Sequence, residues 1–452
     1  MQAFLFAEIS ALRENPDCAL ELGLLGAPAS FHSILPCSRA SALLENSYGK
    51  KTIQGEYWPM TKQQIITAVA VVAAIIALGC GQKALDNAAQ ANDKQAPMFE
   101  VDPFWPKPLP NHWILGATIG IGVDSRDHIY IIHRRDTFNE RTEIGAATDP
   151  VKADCCIPAP NVLEFDPDGN LVNHWGGPGA GYEWPASNHG ITVDHKDNVW
   201  IGGNGRTDSH VLKFSRDGTF LAQYGTAGSE TDSHSSENFG SVAEISFDPD
   251  ANEAYVADGY RNKRVAVLDA DTGELKRYWG AYGNEPDDTN LGPFQPGGEP
   301  AQQFRNPVHC AQPSHDGLIY VCDRVNNRLQ VFKTDGTFVR EIFVKPNSLG
   351  DGSVWDISFS PDAEQTYIYL ADGTNRKIFI IERETLEILT NFGDGGRNPG
   401  QFFAVHGIVT DSRGNLYTTE TYEGKRVQKF TYKGMGPVTV MDQGTPWPAD
   451  KK

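Results

Sequence analysis

Three stretches place a histidine in the same setting: NHGITVD (188–194), VHCAQPS (308–314) and VHGIVTD (405–411). Each histidine stands five residues ahead of the Asp or Ser that opens a polar turn. Apolar and other side chains alternate behind it, the period of a strand with one buried face. Neutral imidazole is the commonest side-chain ligand for metals. Three imidazoles with a fourth position left open form the donor set of a catalytic zinc site. His189, His309 and His406 can do this only if the fold brings the starts of three distant strands to one point.

The elements that would do so recur along the chain. From about residue 114 one phrase returns six times: a short apolar strand, a polar turn, a second strand ending near Asp, a loop with Asn and Arg, a third strand and a fourth ending aromatic-Gly. Asp-Gly pairs at 168–169, 217–218 and 335–336 supply hairpin turns. Glycines after Trp175, Tyr224, Trp279 and Phe392 close outer strands. Four short strands at a period of roughly 40–50 residues make one blade. A lone blade cannot bury both faces, so blades pack around an axis. The phrases resemble the NHL repeat over roughly 114–434, which implies an all-β, six-bladed β-propeller. Segments 98–104 and 435–441 are both candidates for the strand that closes the ring.

Counting five residues back from Asp124, Asp194, Asp248, Ser314, Ser360 and Asp411 gives Ile119, His189, Ala243, His309, Trp355 and His406. Histidine thus occupies alternate blades at one height, about a third of a turn apart. The other histidines break this register, and His112, His128, His174, His195, His210, His234 and His315 read as mostly surface turns.

Loops between second and third strands return to the face where the histidines enter. Their recurring Asp and Arg residues, among them Asp323, Asp372, Arg264, Arg328 and Arg426, read as scaffold joined by charge-assisted hydrogen bonds. Arg134 and Arg324 stand where other loops have glycine, and Tyr260 and Tyr422 have no counterpart in most blades. A guanidinium near a metal would hold a substrate carboxylate, and a tyrosine between cations ionises more easily and can serve as a base. Taken singly, Arg324 and Tyr422 read as exposed loop side chains, and weaker candidates for substrate binding. Glu244 and Asp356, one place past the register position, could bind a second ion or cap blade contacts.

The chain has 452 residues, 40% of them hydrophobic, and a net charge of -19. That charge argues against nucleic acid as a partner, because a phosphate-binding face needs a basic surplus. Residues 60–80 read as an export signal ending Ala77-Leu78-Gly79-Cys80, which resembles a bacterial lipobox. Cys80 is then expected to carry lipid, with 81–97 a flexible tether and 442–452 a tail around a propeller of 98–441. This places the protein in a bacterial cell envelope, periplasmic or at the outer membrane, touching membrane only through its N-terminal anchor. Residues 1–59 read as an extension ahead of a true start at Met60. Export implies an oxidising compartment. Cys310 and Cys322 flank a hairpin turn and are candidates for a disulfide, and the adjacent Cys155 and Cys156 are ambiguous.

These residues together resemble the peptidyl-α-hydroxyglycine α-amidating lyases, six-bladed propellers with a three-histidine zinc. The family's His-Arg-x-Asp loop is matched by His133-Arg134-Arg135-Asp136, and its Pro-His-Gly by Asn188-His189-Gly190. Its Ser-Asp-Gly-Tyr stretch is matched by Ala257-Asp258-Gly259-Tyr260, followed by Asn262-Lys263-Arg264. Its second ligand and later Ala-Asp-Arg-x-Asn-x-Arg phrase are matched by His309 and by Cys322 through Arg328, and its third ligand by His406. The resemblance implies zinc on the three histidines, carboxylate binding by Arg134 and base chemistry by Tyr260. It also implies a small carboxylate-bearing or peptide-like substrate: the family splits a carbinolamide into an amide and glyoxylate. Gly407 stands where the family has an aspartate that helps hold a structural calcium, Ala404-Val405 replaces Met-Pro, and Arg261 replaces a cysteine. Zinc is therefore the better supported ion, and calcium the weaker. Two other classes remain: a lactonase-type propeller with calcium on Glu244 and Asp356, and a non-catalytic interaction scaffold.

Overall fold

The computed structural model describes residues 94–438. The export signal, Cys80 and the extension 1–59 lie outside them, as do most of the expected tether and the tail 442–452. Among the described residues no helix is long and apolar enough to cross a membrane.

Six four-stranded antiparallel sheets form the six expected blades. Their inner strands are Ala117–Val123, Asn188–Val193, Val242–Asp248, Val308–Pro313, Asp356–Phe359 and Val405–Thr410, and each packs on the next until the sixth meets the first. The N-terminal candidate closes the ring. Gln95–Asp102 is the outer strand of blade six and pairs with Arg426–Pro437, with Val101 opposite Phe430. The sheet therefore begins at Gln95, within the stretch expected to be tether.

Second and third strands read as unbroken apolar runs because both faces of each sheet are covered, while outer strands alternate. The core is six apolar clusters, one between each pair of neighbouring blades. Between blades three and four, for example, Tyr255, Val265 and Trp279 meet Val308, Ile319 and Phe332. Ion pairs tie the loops above: Asp258–Arg264 and Asp323–Arg328, both fully buried, at 2.8 Å, and buried Glu420 with half-buried Arg426 at 2.5 Å. Asp372 accepts instead from the backbone and side chain of Asn375. Breaking such a pair would leave a charge buried and unmatched.

One backbone feature positions the site. Five of the six inner strands carry a β-bulge at the register position, and in blade five the strand begins just past it. In blade two Asn188 pairs Gly203 but Ile191 pairs Ile201, so His189 and Gly190 share one partner. Blades four and six repeat this at His309 and His406, and blades one and three bulge at Ile119 and Ala243. In blade five both the Trp355 N–H and Asp356 address Ala371. A bulge kinks the strand and re-aims a side chain, here toward the axis. The residue after the histidine must be small: a Cβ on Gly190 would lie 2.5 Å from the Ala243 carbonyl oxygen.

Candidate metal centre

The bulges bring His189, His309 and His406 together. Their rings lie 4.8–5.2 Å apart, centroid to centroid, and one nitrogen of each lies within 4.8 Å of the others. All three are buried. The Nδ1 atoms face backbone carbonyls: His189 that of Ala243 at 2.7 Å, His309 that of Trp355, and His406 that of Ile119 at 2.9 Å. These acceptors are the register residues of the three blades that lack histidine. A carbonyl can only accept, so each Nδ1 carries the proton and each Nε2 keeps its lone pair. Such second-shell bonds fix the tautomer a metal ligand needs. Burial pushes the imidazoles of His189 and His309 well below the usual histidine value, and His406 down to about 3. Three neutral Nε2 donors facing one point, with no acid among them, fit a zinc-type cation.

The Tyr260 hydroxyl is 2.9 Å from Nε2 of His189 and 3.3 Å from that of His309. Arg324 donates to the same hydroxyl at 3.3 Å. The reading of Arg324 as an exposed loop side chain does not hold. It is 7% exposed, its guanidinium lies 4.6 Å from the Trp355 ring centre, and its Nε has no hydrogen-bond partner. Trp355 offers a ring for stacking as well as a carbonyl for His309. Arg134 is held by the Asn188 carbonyl at 3.1 Å and the Asn204 side chain at 2.7 Å. Its charge acts on His189 and His406. Tyr422 is half exposed at the rim, where its hydroxyl donates to Asp351 at 2.8 Å. Asp351 also faces Arg324 at 3.6 Å. Nothing in the repeat phrase singles out Asp351, since it sits in a connection between blades; its nearest signal is its place four residues before Trp355.

Glu244 and Asp356 meet below the histidines in a cavity of about 20 Å³, room for about one water. Burial raises both carboxyls, Asp356 to about 7. Gln312 donates to Glu244, and the N–H groups of Ile357 and Ile408 donate to Asp356. Glu244 and Asp356 offer ligand oxygens within 4.8 Å of each other, close enough for one shared proton or one ion. The packing also bears on calcium. A Cβ at Gly407 would lie 2.9 Å from the Ile121 side chain and 3.0 Å from Thr419 Oγ1, so the family's aspartate would not fit here unmoved.

Cys310 and Cys322 are joined in a disulfide, and so are Cys155 and Cys156. The first ties the bulge at His309 to the strand that leads into Arg324. Two of the histidines read as surface are not. His210 is buried with Nε2 against the Glu183 carbonyl, and half-buried His128 bonds Glu164 at 2.7 Å. His133 is buried too, accepting from Gly116 N–H and facing the Pro160 carbonyl, so neither ring nitrogen is free.

No family model matches the chain. It is 26% identical over 336 residues to peptidylglycine alpha-amidating monooxygenase of Rattus norvegicus, covering 70% of this chain and 30% of that protein. It is 23% identical over 358 residues to peptidyl-alpha-hydroxyglycine alpha-amidating lyase 1 of Drosophila melanogaster, covering 73% and 59%. It is also 27% identical over 249 residues to NHL repeat-containing protein 3 of Mus musculus, covering 53% and 58%. The chain thus spans about 30% of the length of the first relative. The solved structure of a streptogramin B lyase matches with a TM-score of 0.46 at 13% identity, covering 74% of this chain and 98% of that one. The resemblance read from the motifs is thus a homology to the amidating enzymes.

Proposed function

We propose that this protein is a zinc-dependent lyase that splits an α-hydroxyglycine-type carbinolamide into an amide and glyoxylate. The observation that carries this reading is the convergence of three neutral Nε2 donors with the Tyr260 hydroxyl. Zinc bound by His189, His309 and His406 would supply a Lewis acid for a substrate oxygen. Arg134, fixed by Asn188 and Asn204, holds the substrate carboxylate. Tyr260, with the Arg324 guanidinium at its oxygen, is the base that takes the proton of the substrate hydroxyl. The O–H electron pair becomes the C=O bond of glyoxylate, and the C–N pair moves to nitrogen. The nitrogen takes up a proton, for which Tyr260 is within the same chamber. Atoms and charge balance without an oxidant. Arg324, pressed between Tyr260 and Trp355, keeps a positive charge beside the phenol oxygen.

Metal content of the purified protein, with and without His309→Ala, tests this reading alongside glyoxylate release from α-hydroxyhippurate. Stoichiometric zinc lost in the variant, with turnover lost in parallel, is the expected result. Calcium alone would point to the lactonase class, and no metal to an interaction scaffold.

A further inference from the structure

In blade one the second strand, Ile129–Arg134, and the third, Val162–Phe165, are joined by 135–161, against 204–209 in blade two. Long irregular connections in compact domains are uncommon and usually functional. This one holds a short helix, Ile144–Ala147, and a two-residue strand, Ile157–Pro158, which pairs with Trp113–Ile114. Both lean on the backbone of two neighbouring cysteines. A Cβ at Gly145 would lie 1.7 Å from the Cys155 carbonyl oxygen, so the helix packs directly on that peptide. Ile157 follows Cys156 and donates its N–H to the His112 carbonyl at 3.0 Å.

Cys155 and Cys156 are joined to each other. A disulfide stabilises mainly by closing a loop in the unfolded chain, so one between neighbours contributes almost nothing that way. Cys310–Cys322, with a separation of 12, encloses a hairpin. The two disulfides also differ in access. Cys310 and Cys322 are fully buried, whereas Cys155 is exposed and Cys156 half-buried. A thiolate must reach a sulfur to attack it, and exposed disulfides are the labile ones. Joining neighbours also closes a small ring through their own peptide. Cys156 has a φ of 64°, a left-handed conformation uncommon for residues other than glycine.

The other end of the connection touches the candidate centre. The Thr137 hydroxyl accepts from the Ala117 N–H and donates to the Arg134 carbonyl, each at 2.8 Å. Lys425, three places beyond Tyr422, donates to the Thr137 carbonyl at 2.8 Å and to the Glu143 carboxylate at 2.6 Å. Glu143 is the residue that precedes the short helix.

We propose that Cys155–Cys156 is a thiol-exchange site and a redox-sensitive clasp on this connection. A dithiol reductant attacks as thiolate at Cys155, the accessible sulfur. The S–S bond breaks as the mixed disulfide forms, and Cys156 leaves as a thiolate that takes a proton. The second thiol of the reductant then displaces Cys155, which is protonated in turn. The protein gains two electrons and two protons, and the dithiol ends as its own disulfide. Opening the ring frees the peptide on which helix and strand pack, and the connection loosens beside Arg134.

The full chain is treated with dithiothreitol without denaturant, alkylated with iodoacetamide and digested for peptide mass spectrometry. Cys155 and Cys156 are expected to become alkylated at least about ten-fold faster than Cys310 and Cys322. Amide hydrogen exchange over 142–159 should quicken at least about ten-fold on reduction and slow again on re-oxidation. A variant carrying both Cys155→Ser and Cys156→Ser should exchange at the reduced rate whether or not reductant is present. Alkylation of Cys155 and Cys156 before any reductant, opening no faster than that of Cys310–Cys322, or exchange that reduction leaves unchanged would overturn the proposal. Neither readout involves metal or turnover, so the lyase reading stands or falls separately.

Discussion

Blades two, four and six and blades one, three and five make opposite use of one backbone position. At the bulge, the even blades contribute an imidazole and the odd blades a carbonyl oxygen that fixes it. The even positions therefore demand one residue type. The odd positions accept Ile119, Ala243 or Trp355, because every residue has a carbonyl. A three-fold site thus stands on a six-fold scaffold, with each ligand and its support in adjacent blades. His133 sharpens the contrast: it is buried in an odd blade and both its nitrogens are engaged, so it offers no lone pair to a cation.

The strongest way to break the comparison is at an even blade. His406→Ala should abolish stoichiometric zinc and lower glyoxylate release by at least about a thousand-fold; retained metal by elemental analysis would dissolve the three-fold site. Tyr260→Phe should keep the zinc and lower kcat roughly a hundred- to ten-thousand-fold, so an unchanged kcat would remove its role as base. His133→Gln should keep the metal and alter only stability. Burial holds the His133 imidazole down to about 4, against 6.5 for a free one. As pH falls through that window the unfolded chain takes up a proton that the folded chain refuses, so His133 costs the wild type stability, by about 3 kcal/mol near pH 4. The stability gap between wild type and variant should narrow with acidification, as read by denaturant unfolding at several pH values. Asp351→Asn should raise KM a few-fold with kcat kept, matching the loss of about 1 kcal/mol expected for a partly exposed ion pair. The smallest effect belongs to an odd blade. Ala243→Gly keeps the carbonyl and should keep full zinc occupancy, costing about 1 kcal/mol of stability.

The blades were legible because hydrophobic period, Asp-Gly turns and aromatic-Gly closes are local signals. The histidines were legible because the repeat aligned them, so that one register count joined His189, His309 and His406. Arg324 was misread because its loop looks exposed in the sequence, and only the Trp355 and Tyr260 rings on either side bury it. His210 was misread for the same reason, since burial comes from blades that lie elsewhere in the chain. Asp351 went unseen because no phrase repeats around it.

By itself, then, the sequence determined the six blades, the register of the three histidines, and Arg134, Arg324, Tyr260 and Tyr422 as the loop residues that break the repeat. These follow from side-chain type and spacing within a repeat, whereas the roles of Tyr260 and Arg134 came from the resemblance to the amidating lyases. The tertiary structure alone decided that Gln95–Asp102 closes the ring, that each Nδ1 meets a carbonyl from the neighbouring blade, and that a side chain at Gly407 would press on Ile121 and Thr419. Those outcomes depend on backbone atoms and close approaches between segments far apart in the chain, and backbone atoms are the same in every residue.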